Sequence, residues 1–138
     1  MKPTKHATTN YRMIRPFLDA VDASEGKTLR FESSGFMPLS VEYLHTVDYK
    51  GRPIYGMMHF TLQNGDLMRD PDMTFSVDRS AGIIDPRTFE NSFMGLYQEV
   101  YRKGDDGKLM YSPRLRVDLD EFLWQWLKNL QEQGFKAG

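Results

Sequence analysis

Cysteine is absent from the 138 residues, which removes disulfides and thiolate zinc sites at once. An excess of charge of one sign is missing too. Eighteen Lys and Arg stand against nineteen Asp and Glu, for a net charge of −1. No global basic field therefore advertises nucleic-acid binding, and only a local patch leaves that class open. No apolar run approaches the roughly 20 residues that cross a bilayer, and the N-terminus lacks the apolar core of a signal peptide. There is no phosphate-cradling glycine loop, dinucleotide fingerprint, zinc motif, internal repeat or heptad run. Together these gaps predict a soluble, cytoplasmic chain with no membrane association and no cofactor.

What is present is ordinary globular composition, 40% hydrophobic and 27% charged, in a chain long enough for one domain with a real core. The reading divides it into a flexible N-terminus over 1–9, a single α+β domain over 10–135 and a tail over 136–138. Nine methionines and 13% aromatics are generous; such side chains fill cores and also line adaptable binding surfaces.

The organising stretch is His59 to Asp78. Asn64-Gly65 lies between two alternating runs. Both residue types tolerate the positive φ angles of a two-residue type I′ turn, so a hairpin is predicted there. Met57, His59 and Thr61 share one face, and Met58, Phe60 and Leu62 the other. Pro71 has no N–H for a ladder, so the return strand is predicted to bend at Arg69–Asp72 and resume with Met73, Phe75 and Val77.

Around this hairpin the chain reads as a helix, a meander and a second helix. Tyr11, Ile14, Phe17, Leu18 and Val21 recur at helical spacing behind a Thr9 or Asn10 cap, with Pro16 either in the first turn or at a kink. Gly26 is the expected stop. Strands are expected over Thr28–Glu32, Leu39–Asp48 and Ile54–Gln63. Arg79–Asn91 reads as a connector with one helical turn over Thr88–Asn91. A long strand over Phe93–Arg102 and a return over Leu109–Val117 follow. Leu119, Phe122, Leu123, Trp126, Leu127 and Leu130 form the clearest helical stripe, capped by Asp118 with Glu121 and closed by Gly134 with Phe135 folded back. The predicted architecture is α+β: an N-terminal helix, an antiparallel five- or six-stranded meander sheet, and a C-terminal amphipathic helix packed on it.

Three groups of side chains carry chemistry. The first is a polar cluster of His59, Asp66, Arg69, Asp70, Asp72 and Glu99. A bent strand presenting Asp66, Asp70 and His59 offers the oxygen and nitrogen donors of a divalent metal site, whose bound water attacks phosphodiesters; aspartates beside turns and prolines equally often satisfy local amides. The second is His45 with His59, a general-base pair in principle, though no serine or cysteine nucleophile accompanies it. The third is a face of Tyr97, Tyr101, Tyr111, Arg114 and Arg116, with Glu99 beside it. Aromatics interleaved with arginines stack bases and meet phosphates, and the same residues suit a protein contact.

The run His59-Phe60 … Asn64-Gly65-Asp66-Leu67-Met68-Arg69-Asp70-Pro71 … Met73 … Phe75, with the ending Trp126-Leu127-Lys128-Asn129-Leu130 … Gln133-Gly134-Phe135, resembles a family of small bacterial domains of unknown function. The resemblance covers roughly 40–135. It implies a setting on conjugative plasmids, transposons and phages, and no activity that carries over. The expectation is a non-enzymatic binding module with a protein partner, an accessory of a mobile genetic element. A metal-dependent hydrolase or nuclease using Asp66, Asp70 and His59 is the alternative, and a small nucleic-acid-binding protein the second alternative.

Overall fold

Apolar periodicity sets the architecture. The computed structural model describes residues 1–137; the end of the 136–138 tail, at residue 138, lies outside them. Helix α1 (Ala7–Ala23) is followed by strands β1 (Thr28–Phe31), β2 (Leu39–Val47), β3 (Pro53–Gln63), β4 (Asp66–Asp78) and β5 (Ile83–Asn91). A short 3-10 turn (Ser92–Met94) leads to β6 (Leu96–Glu99), then β7 (Tyr101–Lys103), β8 (Leu109–Tyr111) and helix α2 (Pro113–Glu132). Strands β1 to β6 form one six-stranded sheet in sequence order, and β7 with β8 forms a small hairpin. Every pairing is antiparallel. The predicted α+β meander with a helix at either end is what the chain adopts.

The alternation of β2, β3 and β4 decides which face is dry. Leu39, Val41, Tyr55, Met57, Met73, Phe75 and Val77 are buried in one cluster with Ile14, Leu18 and Val21 of α1 and Leu123, Leu127 and Leu130 of α2. Both helices thus cover the same sheet face. Each fully buried large side chain contributes about 1.5–3 kcal/mol. No helix among the described residues is long and apolar enough to cross a membrane.

Asn64 and Gly65 adopt φ of 53° and 86°, as a type I′ turn requires, with Gln63 opposite Asp66. The bend downstream is a register shift: Met58 faces Asp72 and Phe60 faces Arg69. His59 alone thus opposes the two residues Asp70 and Pro71, and this β-bulge absorbs the proline at no cost to the ladder. Helix α2 ends as expected. Gly134 has φ 86°, its N–H reaches the Gln131 carbonyl, and the Phe135 N–H reaches that of Leu130 at 3.0 Å, a Schellman motif that folds Phe135 into the core.

Several expectations needed correction. α1 begins at Ala7 and continues across Pro16, which is exposed; on that side water can satisfy the carbonyl that loses its donor. It ends without Gly26 in the left-handed region, which Lys27 occupies at φ 57°. Thr88–Asn91 is strand, the end of β5, and Asp85-Pro86 sits inside it. A second register shift, with Thr74 opposite Thr88 but Phe75 opposite Pro86, gives the proline a bulge. The long strand expected over Phe93–Arg102 is broken by the 3-10 turn, the left-handed Gly95 and the departure of β7 from the main sheet. The return over Leu109–Val117 stops at Tyr111 because α2 starts early. The Ser112 hydroxyl accepts the Leu115 N–H and Pro113 is the first helical residue, a start signature that wins over Asp118. The N-terminus, expected to fray, is tied to α2: the Asp120 carboxylate accepts the Thr4 hydroxyl at 2.6 Å and the His6 N–H at 3.0 Å.

Candidate functional site

The β3–β4 bulge divides the predicted polar cluster between the two faces of the sheet. His59 follows Met57 in the unbroken alternation of β3 and is buried on the helix-covered face, while the extra residue of β4 carries Asp72 to the open face, where it and Arg69 pair with Met58 and Phe60. Asp66 is exposed beside the hairpin turn. Asp70 accepts the Asn91 side-chain amide at 2.8 Å, and the Asn91 carbonyl oxygen accepts the Met94 N–H at 3.2 Å. Glu99 lies on β6 opposite Thr88. Among the described residues no group of three or more His, Asp or Glu side chains is placed to hold a metal ion.

On the open face Arg69 stands between two carboxylates, 3.5 Å from Asp72 and 3.4 Å from Glu90. Burial pushes the Asp72 carboxyl up to about 6; Arg69 pulls the other way, and Glu90 and Glu42 add to the rise. Glu42 and Glu90 were outside the predicted cluster. Only sheet register reveals them: Asp72 faces Glu90 across β4–β5, whereas Glu42 lies two strands away on β2.

On the covered face the His59 ring nitrogen Nδ1 lies 3.0 Å from the Met37 carbonyl and 3.3 Å from that of Pro38. A carbonyl only accepts, so Nδ1 carries the hydrogen and Nε2 presents its lone pair. Burial holds the imidazole below its ordinary pKa, against the pull of the two carbonyls and of Asp70. The ring packs at 5.6 Å from both Trp126 and Phe135. His45, the second histidine considered, is exposed and packs against Tyr43 at 4.8 Å.

The predicted Tyr/Arg face also divides. Tyr101 is buried, donating its hydroxyl to Asp85, which also accepts Arg116 Nε at 2.7 Å. Burial, then the bond to Asp85, pushes the Tyr101 phenol far above its usual range. These two residues fasten α2 and β7 to β5. Tyr97, Tyr111 and Arg114 remain exposed.

The apolar surface next to them was not foreseen. Phe93, Met94, Leu96 and Tyr97 are exposed at the β6 edge, Met94 by 75%, and Leu109, Met110 and Tyr111 are exposed on the adjoining hairpin. A depression of about 310 Å³ lies between the end of β6 and this hairpin, lined by Gln98, Glu99, Met110 and Tyr111 among others. The missed signal is the Ser92–Gly95 turn, which rotates residues of an imagined continuous strand out of the core.

Comparison with known proteins found no matching curated protein and no matching solved structure. A family model described as "Domain of unknown function (DUF6908)" matches residues 12–136, a span that takes in α2, the hairpin, the bulge and α1 from Arg12 onward. The chain belongs to that family.

Proposed function

We propose that this domain is a non-enzymatic protein-interaction module that receives a partner along the free edge of β6. One observation carries the reading. Among the described residues β6 pairs only with β5 in the main sheet, and its last residues, Gln98 and Glu99, border a groove flanked by Met110 and Tyr111. Unpaired strand edges are templates for an incoming extended segment, and proteins blunt them unless they are used. Here the edge carries Leu96 and Tyr97 where charge or proline would be protective. Seven exposed apolar side chains on β6, the turn before it and β8 suit a contact better than open water does.

The setting implied by the resemblance, accessory work for a mobile genetic element in the bacterial cytoplasm, belongs to the same reading. The hydrolase alternative needs His59 beside Asp66 and Asp70, but His59 is buried under α2 while Asp66 is exposed at the hairpin tip and Asp70 accepts the Asn91 amide. The nucleic-acid alternative loses Tyr101 and Arg116 to the pair with Asp85.

The test is capture of partners from the native host by the wild-type chain and by the double variant Met94→Glu, Tyr97→Glu. Both positions are exposed, so circular dichroism should be unchanged. A partner held by wild type and lost by the variant, with β6 amides protected from hydrogen exchange in the complex, is the expected result. Partners held equally by both would overturn the proposal, and binding only to oligonucleotides, with a steep salt dependence, would favour the second alternative.

A further inference from the structure

The covered face contains a second concavity. A cavity of about 230 Å³ opens between the β3–β4 bulge and the last turns of α2. Pro71, Phe122 and Trp126 make its apolar walls, and Gln125, Asn129 and Gln133 supply side-chain amides. His59 completes it. No lining residue other than His59 is ionisable, and burial holds its imidazole below the ordinary pKa, against the pull of the carbonyls that Nδ1 meets. The amphipathic pattern of α2 accounts for Trp126 being buried; it does not account for its indole N–H, which is buried with no acceptor among the described residues. Native structures retain few orphaned donors of this kind, because each forfeits a hydrogen bond that water would have supplied.

Wall and polar groups are complementary to one kind of molecule. Two aromatic side chains and a proline favour a flat, polarisable ring. The unpaired indole N–H asks for an acceptor. The His59 Nε2 lone pair, for which no partner is present among the described residues, asks for a donor. The lack of formal charge around the cavity disfavours phosphates and carboxylates, which would be desolvated without compensation. The volume is below the roughly 300–1,000 Å³ of drug-sized sites, so one ring system fits.

We propose that this cavity is a binding site for a small, uncharged, planar heterocycle that carries a hydrogen-bond donor and an acceptor on one edge, the chemistry of a free nucleobase or a nicotinamide-like carboxamide. The acceptor meets the Trp126 N–H and the donor meets His59 Nε2, while the ring lies against Phe122, Trp126 and Pro71. The indole N–H is closed to solvent in the unliganded chain, so a ligand that reaches it displaces part of the cavity wall. The site is distinct from the β6 edge, so its failure and that of the interaction reading are separable.

The experiment is a titration of the ¹⁵N-labelled chain with adenine, uracil, nicotinamide and, as an apolar isostere, toluene. Two tryptophans give two indole N–H signals, and Trp126→Phe assigns them. Saturable shifts of the Trp126 signal with at least one heterocycle, at millimolar concentration or below and at least tenfold tighter than toluene, are expected, and His59→Leu should weaken that binding at least tenfold. Should His59→Leu fail to fold, the comparison with toluene in the wild-type chain decides alone. Toluene binding as tightly as the best heterocycle, or no shift with any compound, would overturn the proposal.

Discussion

Asp72 is a carboxylate that the folded chain holds at a disadvantage, and Asp72→Asn should stabilise the protein near neutral pH. Its side chain is 26% exposed, its cation lies 3.5 Å away, and that cation is shared with Glu90. Burial therefore dominates, and the folded-state pKa is about 6 against 3.8 for the free group. Between those two values the folded state binds more protons than the unfolded one, so this residue's contribution falls as pH rises through the window. About two units at 1.36 kcal/mol each set a ceiling of about 3 kcal/mol. Screening of a quarter-exposed group reduces it to about 1–2 kcal/mol. Asparagine keeps the shape, carries no charge, and leaves Arg69 with Glu90. In urea denaturation the variant should gain about 1–2 kcal/mol at about pH 8, and the gain should nearly vanish at about pH 4, where folded Asp72 is already protonated. A loss at the higher pH would mean that Arg69 outweighs burial, and an equal gain at both values would mean that the carboxylate's charge is not its source; either would refute the reasoning.

Two further outcomes follow from the packing. Asp120 is 2% exposed and serves the start of α1 from α2, so Asp120→Ala strands the Thr4 hydroxyl and the His6 N–H and should cost about 3 kcal/mol in urea denaturation; a loss below about 1 kcal/mol would mean that water replaces the carboxylate. Gly134 holds φ 86°, and an added Cβ would lie 3.3 Å from the Ser33 hydroxyl oxygen, so Gly134→Ala should lower stability by about 1–2 kcal/mol, seen as a lower thermal midpoint, and an unchanged midpoint would contradict the Schellman assignment.

The sequence by itself determined the elements whose signals are local. Asn64-Gly65 specified the hairpin because both residues accept positive φ. The three- and four-residue spacing of Leu119 to Leu130 specified α2, and Gly134 with Phe135 specified its end. Alternation over β3 and over Met73 to Val77 predicted which side chains share a face, and Pro71 announced the bend; in β2 it held only to Tyr43, where the register shifts and leaves His45 and Val47 exposed. Ser112-Pro113 carried a helix start that was legible in principle, yet the alternation of Leu109 to Val117 competed with it.

Only the tertiary structure decided how those pieces face one another. A register shift of one residue at His59 sends a neighbouring histidine and aspartate to opposite sides of a sheet, and no one-dimensional pattern records the side on which a bulge falls. The buried partners Asp85, Tyr101 and Arg116 are 15 or more positions apart in sequence, so their pairing depends on β5, β7 and α2 having already met. The cap that α1 lacks in its own residues comes from Asp120, more than a hundred positions downstream. Local propensity places residues on elements through the first few torsions; which polar groups end up dry and paired, dry and orphaned like the Trp126 N–H, or exposed at a free edge is set by the packing of elements distant in the chain.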